Sequence, residues 1–369
     1  MNFSYWEYKE WFSNVDFTII GSGIVGLNCA LHLRSKHPKA KILILEKGML
    51  PQGASTKNAG FACFGSLSEL IEDLKTHTEQ EVIELVQKRW NGLQLLRKNL
   101  GDSTINYQQN KGYELFQEDS FYESCIAQKD TINQLLYPIF NQDVFTESAN
   151  IFQFKNIQNN YIVNEMEGQI DTGKMMIALL KKAAKAGIQI INNIEVLGFE
   201  DQVSQVEIQT KELSFTTQNL CISTNGFAQQ LIQENVVPAR AQVLVTKPIK
   251  HLQIKGTFHL DKGYYYFRNI DDRILLGGGR NLDFKAEETL EFGQTALIQN
   301  RLEELLKKVI LPNTDFEIER RWSGIMGVGS QKNTIVKALS SRVFCGVRLG
   351  GMGVAIGSLV GKELADLIE

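Results

Sequence analysis

The chain has 369 residues, 43% apolar and 22% charged, with a formal net charge of −3. These are the proportions of a globular protein long enough for about two domains, and the absence of a basic block leaves no electrostatic footprint for nucleic acid. Cys29, Cys63, Cys125, Cys221 and Cys345 show no C-x-x-C spacing and the histidines no H-E-x-x-H, so neither a disulfide framework nor a metal site is expected.

The opening MNFSYWEYKEWF is too short and too charged for a signal-peptide core and reads as an aromatic-faced helix docked on the first domain. No apolar run approaches the roughly 18 residues that span a bilayer, and a cytoplasmic protein is expected. Residues 17–20 then form a short apolar strand that breaks into Gly21-Ser22-Gly23-Ile24-Val25-Gly26, a G-x-G-x-x-G turn opening a helix. Gly21 permits the turn, Gly23 lets the backbone approach a pyrophosphate, and Gly26 lets the helix lie close to the strand. The helix start offers free N–H groups and the positive end of its dipole. A second strand, residues 42–45, ends in Glu46, twenty positions beyond Gly26, where an acid holds a ribose hydroxyl and repels a 2′-phosphate. Together these predict a dinucleotide site.

Beyond Lys47-Gly48, the run Gly53-Ala54-Ser55-Thr56-Lys57-Asn58-Ala59-Gly60-Phe61 is small and polar, suited to a loop lying flat on a ligand. Helices are expected over 66–74 and 79–100, a strand pair over 105–116, and a mixed polar stretch to about 154. Asp171 caps a helix over 174–186 that stops at Gly187. A strand over 188–196, a hairpin over 203–217 and a short strand over 219–223 follow, the last ending in Thr224-Asn225-Gly226. Residues 236–322 read as successive strands of a mainly antiparallel sheet, interrupted by one helix over 295–309. The chain returns with a strand over 342–347 and Gly350-Gly351-Met352-Gly353, which opens a last helix to 368. Gly357 and Gly361 share a face of that helix, permitting close packing on a sheet or ligand.

Four separated motifs, GSGIVGL with Glu46, GASTKNAGF, STNGF and GGMGVAIGSLVGKELADLI, resemble the FAD-dependent D-amino-acid oxidase-like family, which includes glycine and sarcosine oxidases and γ-glutamylputrescine oxidoreductases. ARAQVLVTKP and the YYYFR…RILLGGG pair extend the likeness over nearly the whole chain. The resemblance implies an α/β fold: a discontinuous, Rossmann-like (GR2-type) FAD-binding domain made of residues 1–80, 155–235 and 323–369. The substrate domain, an inserted mainly antiparallel sheet plus helices, would take residues 81–154 and 236–322. By the same likeness Gly21, Ser22, Gly23, Ile24, Val25 and Gly26 line the FAD pyrophosphate, and Glu46 beside Lys47 takes the adenosine ribose. Ala54, Ser55, Thr56, Asn58, Ala59, Gly60 and Phe61 run along the pyrophosphate, ribityl chain and flavin. Val196 meets the adenine edge, and Thr224, Asn225 and Gly226 form a second FAD turn. Gly351, Met352, Gly353, Val354 and Ala355 lie beside the flavin's pyrimidine ring, where the helix start would stabilise negative charge.

Family chemistry is removal of a hydride from a carbon next to nitrogen, giving an imine that water hydrolyses. The partner implied is a small amine or amino-acid derivative, with oxygen or another electron acceptor. Strand alternation puts Tyr264 and Tyr266 on one face, as candidates to line the pocket, and Tyr265 on the other. Arg348 is a candidate to pair with a substrate carboxylate through a bidentate fork, and Arg280 is a second. Three departures qualify the likeness. Amino-acid-oxidising relatives carry a carboxylate-binding arginine in the segment resembling Gly324-Ile325-Met326, which has none here, arguing against a simple D-amino acid or glycine. The strand resembling Ile274, Leu275 and Leu276 lacks the oxygen-activating lysine of sarcosine oxidases. The flavin-linking cysteine is also absent near Gly324, so FAD is expected to be non-covalent; the family's Asp…Pro near the last motif reads Gln331-Lys332-Asn333-Thr334. Oxidation of a 2-hydroxy acid, an NAD-dependent dehydrogenase and a flavin-binding subunit without turnover are the alternatives.

Overall fold

A computed structural model describes residues 3–369. Its first sheet is centred on the strand Val15–Ile20, which pairs in parallel with Ile42–Leu45 on one side and with the end of Ser214–Ile222 on the other. Gln189–Ile191 and Val343–Val347 extend it in parallel, and Ile335–Ala338 closes one edge antiparallel. The central strands read as unbroken apolar runs because a parallel sheet is covered on both faces. On one face the helix Ile24–Lys36 meets the C-terminal helix Gly353–Asp366 through bare backbone. A Cβ on Gly361 would lie 2.6 Å from the Val25 carbonyl, and one on Gly357 would lie 2.8 Å from Ile24. The close packing expected of these glycines is therefore helix on helix. Glu79–Leu100 joins the stack at Gly92, whose Cβ would lie 2.3 Å from the Ala355 carbonyl.

The expected end of the hairpin and the short strand after it are one strand, Ser214–Ile222. Its first half pairs antiparallel with Val206–Thr210, its second in parallel with Val15–Ile20. Likewise the strand expected over 188–196 divides, because Val196–Asp201 turns away to pair with Val206–Thr210.

The second sheet has eight strands in the order Ile318–Val328, Val237–Thr246, Arg273–Gly278, Tyr265–Ile270, Thr257–Leu260, Gly112–Leu115, Asn160–Asn164 and Phe145–Ala149. All neighbours are antiparallel except Thr257–Leu260 with Gly112–Leu115. Two edges of the expected division therefore move. Asn160–Asn164, assigned to the nucleotide-binding part, pairs between two strands of this sheet, and Ile318–Val328 runs across the boundary set at 322/323. The pair expected over 105–116 is a short helix, Asp102–Ile105, and one strand. The stretch read as mixed and polar holds the helices Asp119–Ile126 and Lys129–Phe140 and the edge strand.

Alternation divides the two faces of this sheet. Phe258 and Phe267 stack at 4.5 Å on the face that packs with the helix Ala296–Leu305, while their neighbours His259 and Tyr266 turn the other way. At the N-terminus only part of the aromatic helix docks: Phe12 packs on Phe215 at 5.3 Å, whereas Tyr5, Trp6, Tyr8 and Trp11 stay exposed.

Candidate functional site

A continuous cavity of about 1230 Å³ lies between the first sheet and the second, above the range of roughly 300–1,000 Å³ that suits one drug-sized ligand. At one end its wall is the turn after Val15–Ile20. Gly21 takes φ +101°, and a Cβ on Gly26 would lie 2.0 Å from the Gly21 carbonyl, so only glycine lets the helix start this close to the strand. The helix has no side-chain cap of its own; Ser55 reaches over from the following loop and accepts the Ile24 N–H at 2.9 Å. Glu46, at the end of the second strand, accepts from the Ser22 N–H at 3.1 Å, the Ser22 hydroxyl at 2.6 Å and the Gly48 N–H at 3.0 Å. The acid thus shapes the glycine turn as well as lining the cavity.

The loop carrying residues 54–61 forms the middle of the wall. Asn58 folds it, donating to the Ala54 and Ser55 carbonyls and accepting from Gly60 and Thr172. The second sheet pins it: Arg268 donates to the Gly60 carbonyl at 2.9 Å and to that of Ile170 at 2.7 Å. Burial lowers the Arg268 pKa to about 10, partly offset by Asp171 and Asp271, which still leaves a cation at neutral pH. Facing this loop, Gly350 and Gly351 take φ +58° and +86° and lead into Gly353–Asp366, whose start also has no side-chain cap. Asn225, just beyond the strand Ser214–Ile222, accepts the Leu349 N–H at 3.1 Å and so ties the second turn to this glycine segment.

The other end is walled by side chains of the second sheet. One row of cross-strand neighbours runs Glu114, His259, Tyr266, Gly277, Val243. The Tyr266 ring lies over Gly277, where a Cβ would sit 2.7 Å from it, and burial pushes the phenol up to about 12. Phe61 meets Tyr266 edge-on at 5.6 Å and His259 at 5.3 Å. His259 Nε2 is 2.7 Å from buried Glu167, which is held in place because Phe61–Ala62 pairs with Gly168–Gln169 immediately after it. Burial alone would lower the His259 pKa. The charge of Glu167 and the hydrogen bond to it, with Glu69 and Glu114 behind, outweigh that and raise it to about 9.

Of the residues singled out from sequence, Gly21, Gly23, Ile24, Val25, Glu46, Lys47, Ala54, Ser55, Asn58, Ala59, Gly60 and Phe61 line this cavity. So do Val196, Thr224, Asn225, Gly351, Met352, Gly353, Val354, Ala355, Tyr264 and Tyr266. Five do not. Ser22 is turned inward onto Glu46, and Gly26 is buried against the Gly21 carbonyl. The Thr56 hydroxyl donates to Pro51 behind the loop, and Gly226 lets its turn rest on Met326. Arg348 is the clearest correction: it takes φ +63° and donates to the carbonyls of Asn333 at 2.8 Å and Asn235 at 3.2 Å. Its guanidinium fastens two loops and does not reach the cavity. Sequence reasoning missed the Glu167–His259 pair, because 92 residues separate its members and neither sits in a motif. It also missed Lys332, which lines the cavity and pairs with Asp73.

The residues present fit a dinucleotide. A Cβ on Gly53 or Gly350 would meet nothing within 4 Å, so bare backbone faces the open space both residues line. The buried Thr224 hydroxyl, also in the wall, has no hydrogen-bond partner among the described residues, the state of a polar group that awaits a ligand. A largely parallel sheet with two glycine-lined helix starts over one cavity, roofed by a second sheet, is the build of a dinucleotide-binding protein. The family model described as FAD dependent oxidoreductase (DAO) matches residues 16–367, and the chain belongs to that family; it is an FAD-dependent oxidoreductase. It is 20% identical over 368 residues to the probable oxidoreductase OrdL of Haemophilus influenzae, covering 96% of this chain and 83% of that protein. Among solved structures, glycine oxidase from Bacillus cereus superposes with a TM-score of 0.76 at 16% identity, covering 96% of both chains. Iminodiacetate oxidase from Chelativorans gives 0.77 at 17%, covering 95% of this chain and 94% of that one. L-Proline dehydrogenase from P. horikoshii gives 0.76 at 17%, covering 96% and 93%. These likenesses carry the fold. No helix among the described residues is long and apolar enough to cross a membrane.

Proposed function

We propose that the chain oxidises a C–N bond of a small amine or amino-acid derivative. The observation that carries this reading is the continuity of the cavity: both glycine-lined helix starts and the tyrosine-bearing face of the second sheet open into the same space. Solved structures of the same fold named for glycine, iminodiacetate and proline oxidation support a C–N rather than a C–O bond. When bound, FAD supplies the two-electron acceptor for a hydride from the carbon beside nitrogen, leaving an imine that water hydrolyses.

The protein's part is placement. Gly23–Val25 and the loop at 54–61 hold the phosphates and linker, Glu46 and Val196 the adenosine, and the start of Gly353–Asp366 the redox ring, with its dipole favouring negative charge there. Tyr266 remains a neutral phenol across the physiological range and with Phe61 forms an aromatic wall that keeps water from the reacting carbon. Tyr264, on the same face and at the rim, contacts the substrate. FAD is held without a covalent bond: Cys63, the cysteine in the cavity wall, is kept a neutral, unreactive thiol because burial raises its pKa well above the ordinary value.

The test is an anaerobic screen of amines, amino acids, N-methyl amino acids and 2-hydroxy acids against FAD-loaded protein, read by bleaching of the flavin. Bleaching by a C–N substrate and not by hydroxy acids is expected; bleaching by hydroxy acids alone would replace this reading. Admitting air after reduction then reports whether oxygen or another acceptor takes the electrons.

A further inference from the structure

The cations that line the cavity are almost all spoken for. Lys47 pairs with Glu195 at 2.6 Å, His259 with Glu167 at 2.7 Å, Lys262 with Glu72 at 3.6 Å and Lys332 with Asp73. Two have no ion pair among the described residues: Lys57, on the nucleotide-side loop, which stands over the Phe292 ring at 5.9 Å, and Arg280. The latter lines the cavity on the side of the second sheet, half-buried, and its guanidinium has neither an ion pair nor a hydrogen bond among the described residues. It lies against the Phe284 ring at 4.9 Å, and that ring meets Tyr264 edge-on at 5.8 Å.

The local backbone fixes this placement. Gly279 takes φ +80° and ends the strand Arg273–Gly278, so the chain turns at Arg280 toward the cavity. Two hydrogen bonds fasten this turn to the one that carries Tyr264: Gly279 N–H to the Tyr264 carbonyl at 2.9 Å, and Asn281 to Asp261 at 3.1 Å. Glu287, the acid whose charge reaches Arg280, and Glu69 are committed elsewhere. Glu287 takes a bidentate fork from Arg240 at 2.9 and 2.8 Å and a third bond from Gln242, while Glu69 caps its own helix through the Ser66 N–H at 2.9 Å. Burial lowers the Arg280 pKa, as it does for a charge that has given up water without gaining a partner. A planar fork held against one aromatic ring, beside a phenol, with its outer N–H groups free, is matched by a carboxylate.

We propose that Arg280, with the Tyr264 hydroxyl, receives a carboxylate of the substrate. The preferred substrate is then an amino acid or N-substituted amino acid rather than an amine that lacks an acid group. The inference rests on the C–N reading above for its substrate, though not for its binding site. It also revises the expectation drawn from Gly324-Ile325-Met326: the fork missing from that strand is supplied by the turn after Arg273–Gly278.

The experiment uses FAD-loaded protein titrated with propionate and with neutral propionamide, followed by perturbation of the visible flavin spectrum. Wild type should favour propionate. Arg280→Gln should weaken propionate by roughly ten- to hundred-fold, the worth of hydrogen bonds to a charged group, and leave propionamide unchanged. Arg280→Lys, which keeps the charge and loses the fork, should recover part of the difference and guards against misfolding of the first variant. With any amino acid that bleaches the flavin, Arg280→Gln should raise KM by a similar factor and change the limiting rate of reduction far less. Equal propionate affinity in wild type and Arg280→Gln, or a wild type that does not distinguish propionate from propionamide, overturns the proposal. If no C–N compound bleaches the wild-type flavin, the proposed reaction fails, yet the propionate titration still decides the site at Arg280.

Discussion

The two ends of the cavity are walled by different materials. At the nucleotide end the surface is largely backbone: Gly21, Gly23, Gly53 and the Gly350–Gly353 segment, with two helix starts that no side chain of their own caps. At the sheet end it is side chains, His259, Tyr264, Tyr266 and Arg280, brought together by cross-strand register and by buried partners such as Glu167 and Arg268. A phosphate and a redox ring need N–H groups and a dipole, which any chain supplies if glycine lets it come close. A substrate needs particular polar groups at particular points, which only packed side chains provide. The two ends should therefore fail in different ways.

The largest effect is expected at the backbone end. Gly26→Ala puts a methyl 2.0 Å from the Gly21 carbonyl, an overlap neither element can relieve without parting. Purified protein should carry essentially no FAD, measured as visible flavin absorbance per mole of protein; a normally loaded variant would break the contrast. Next is Glu167→Gln, which leaves His259 in a buried site without its counter-charge, at a cost of about 3–5 kcal/mol in urea unfolding. Because the folded His259 pKa is raised to about 9 from an ordinary value near 6.5, the pair's contribution should be complete below that ordinary value. It should be lost as pH climbs through about 9. Wild-type stability should decline over that window, and Glu167→Gln should flatten the decline. A wild-type profile level from neutral pH to above 9 would show that the pair does not titrate there.

Gly277→Ala sharpens the comparison from the other side. Its methyl would lie 2.7 Å from the Tyr266 ring, so the ring must move while the nucleotide end is untouched. FAD content should be normal and anaerobic reduction by substrate about 100-fold slower, the cost of displacing a positioning group by an ångström. The smallest effect belongs to Arg348→Ala. Removing a guanidinium that bonds two loop carbonyls should lower stability by about 1–2 kcal/mol and leave the KM for carboxylate substrates unchanged. A selective rise in that KM would return Arg348 to the substrate site.

How much could be read in advance follows the same division. The G-x-G-x-x-G turn, Glu46, the loop at 54–61 and the last glycine segment were legible because each is a contiguous run whose conformation is imposed locally by missing Cβ atoms. Strand alternation likewise separated Tyr266 from Tyr265, which is buried on the opposite face, whereas Tyr264 lies in the turn before the strand. Arg348 and Arg280 show where local reading stops. Both follow a strand, both lie within two residues of a glycine, and nothing in their flanks says which one finds carbonyls waiting. Arg348 meets the loops ending at Asn235 and Asn333, whereas Arg280 turns out over Phe284 with no hydrogen-bond or ion-pair partner among the described residues.

By itself, then, the order of residues determined the strand–turn–helix units, the two glycine-lined helix starts and a dinucleotide as the cofactor class, since these follow from short-range periodicity and from glycine's freedom at fixed positions. The tertiary structure alone decided that both helix starts share one cavity, that Glu167 charges His259 across 92 residues, and which arginine keeps a free fork. Those outcomes depend on register between strands distant in the chain, and a one-residue slip there turns every side chain to the opposite face.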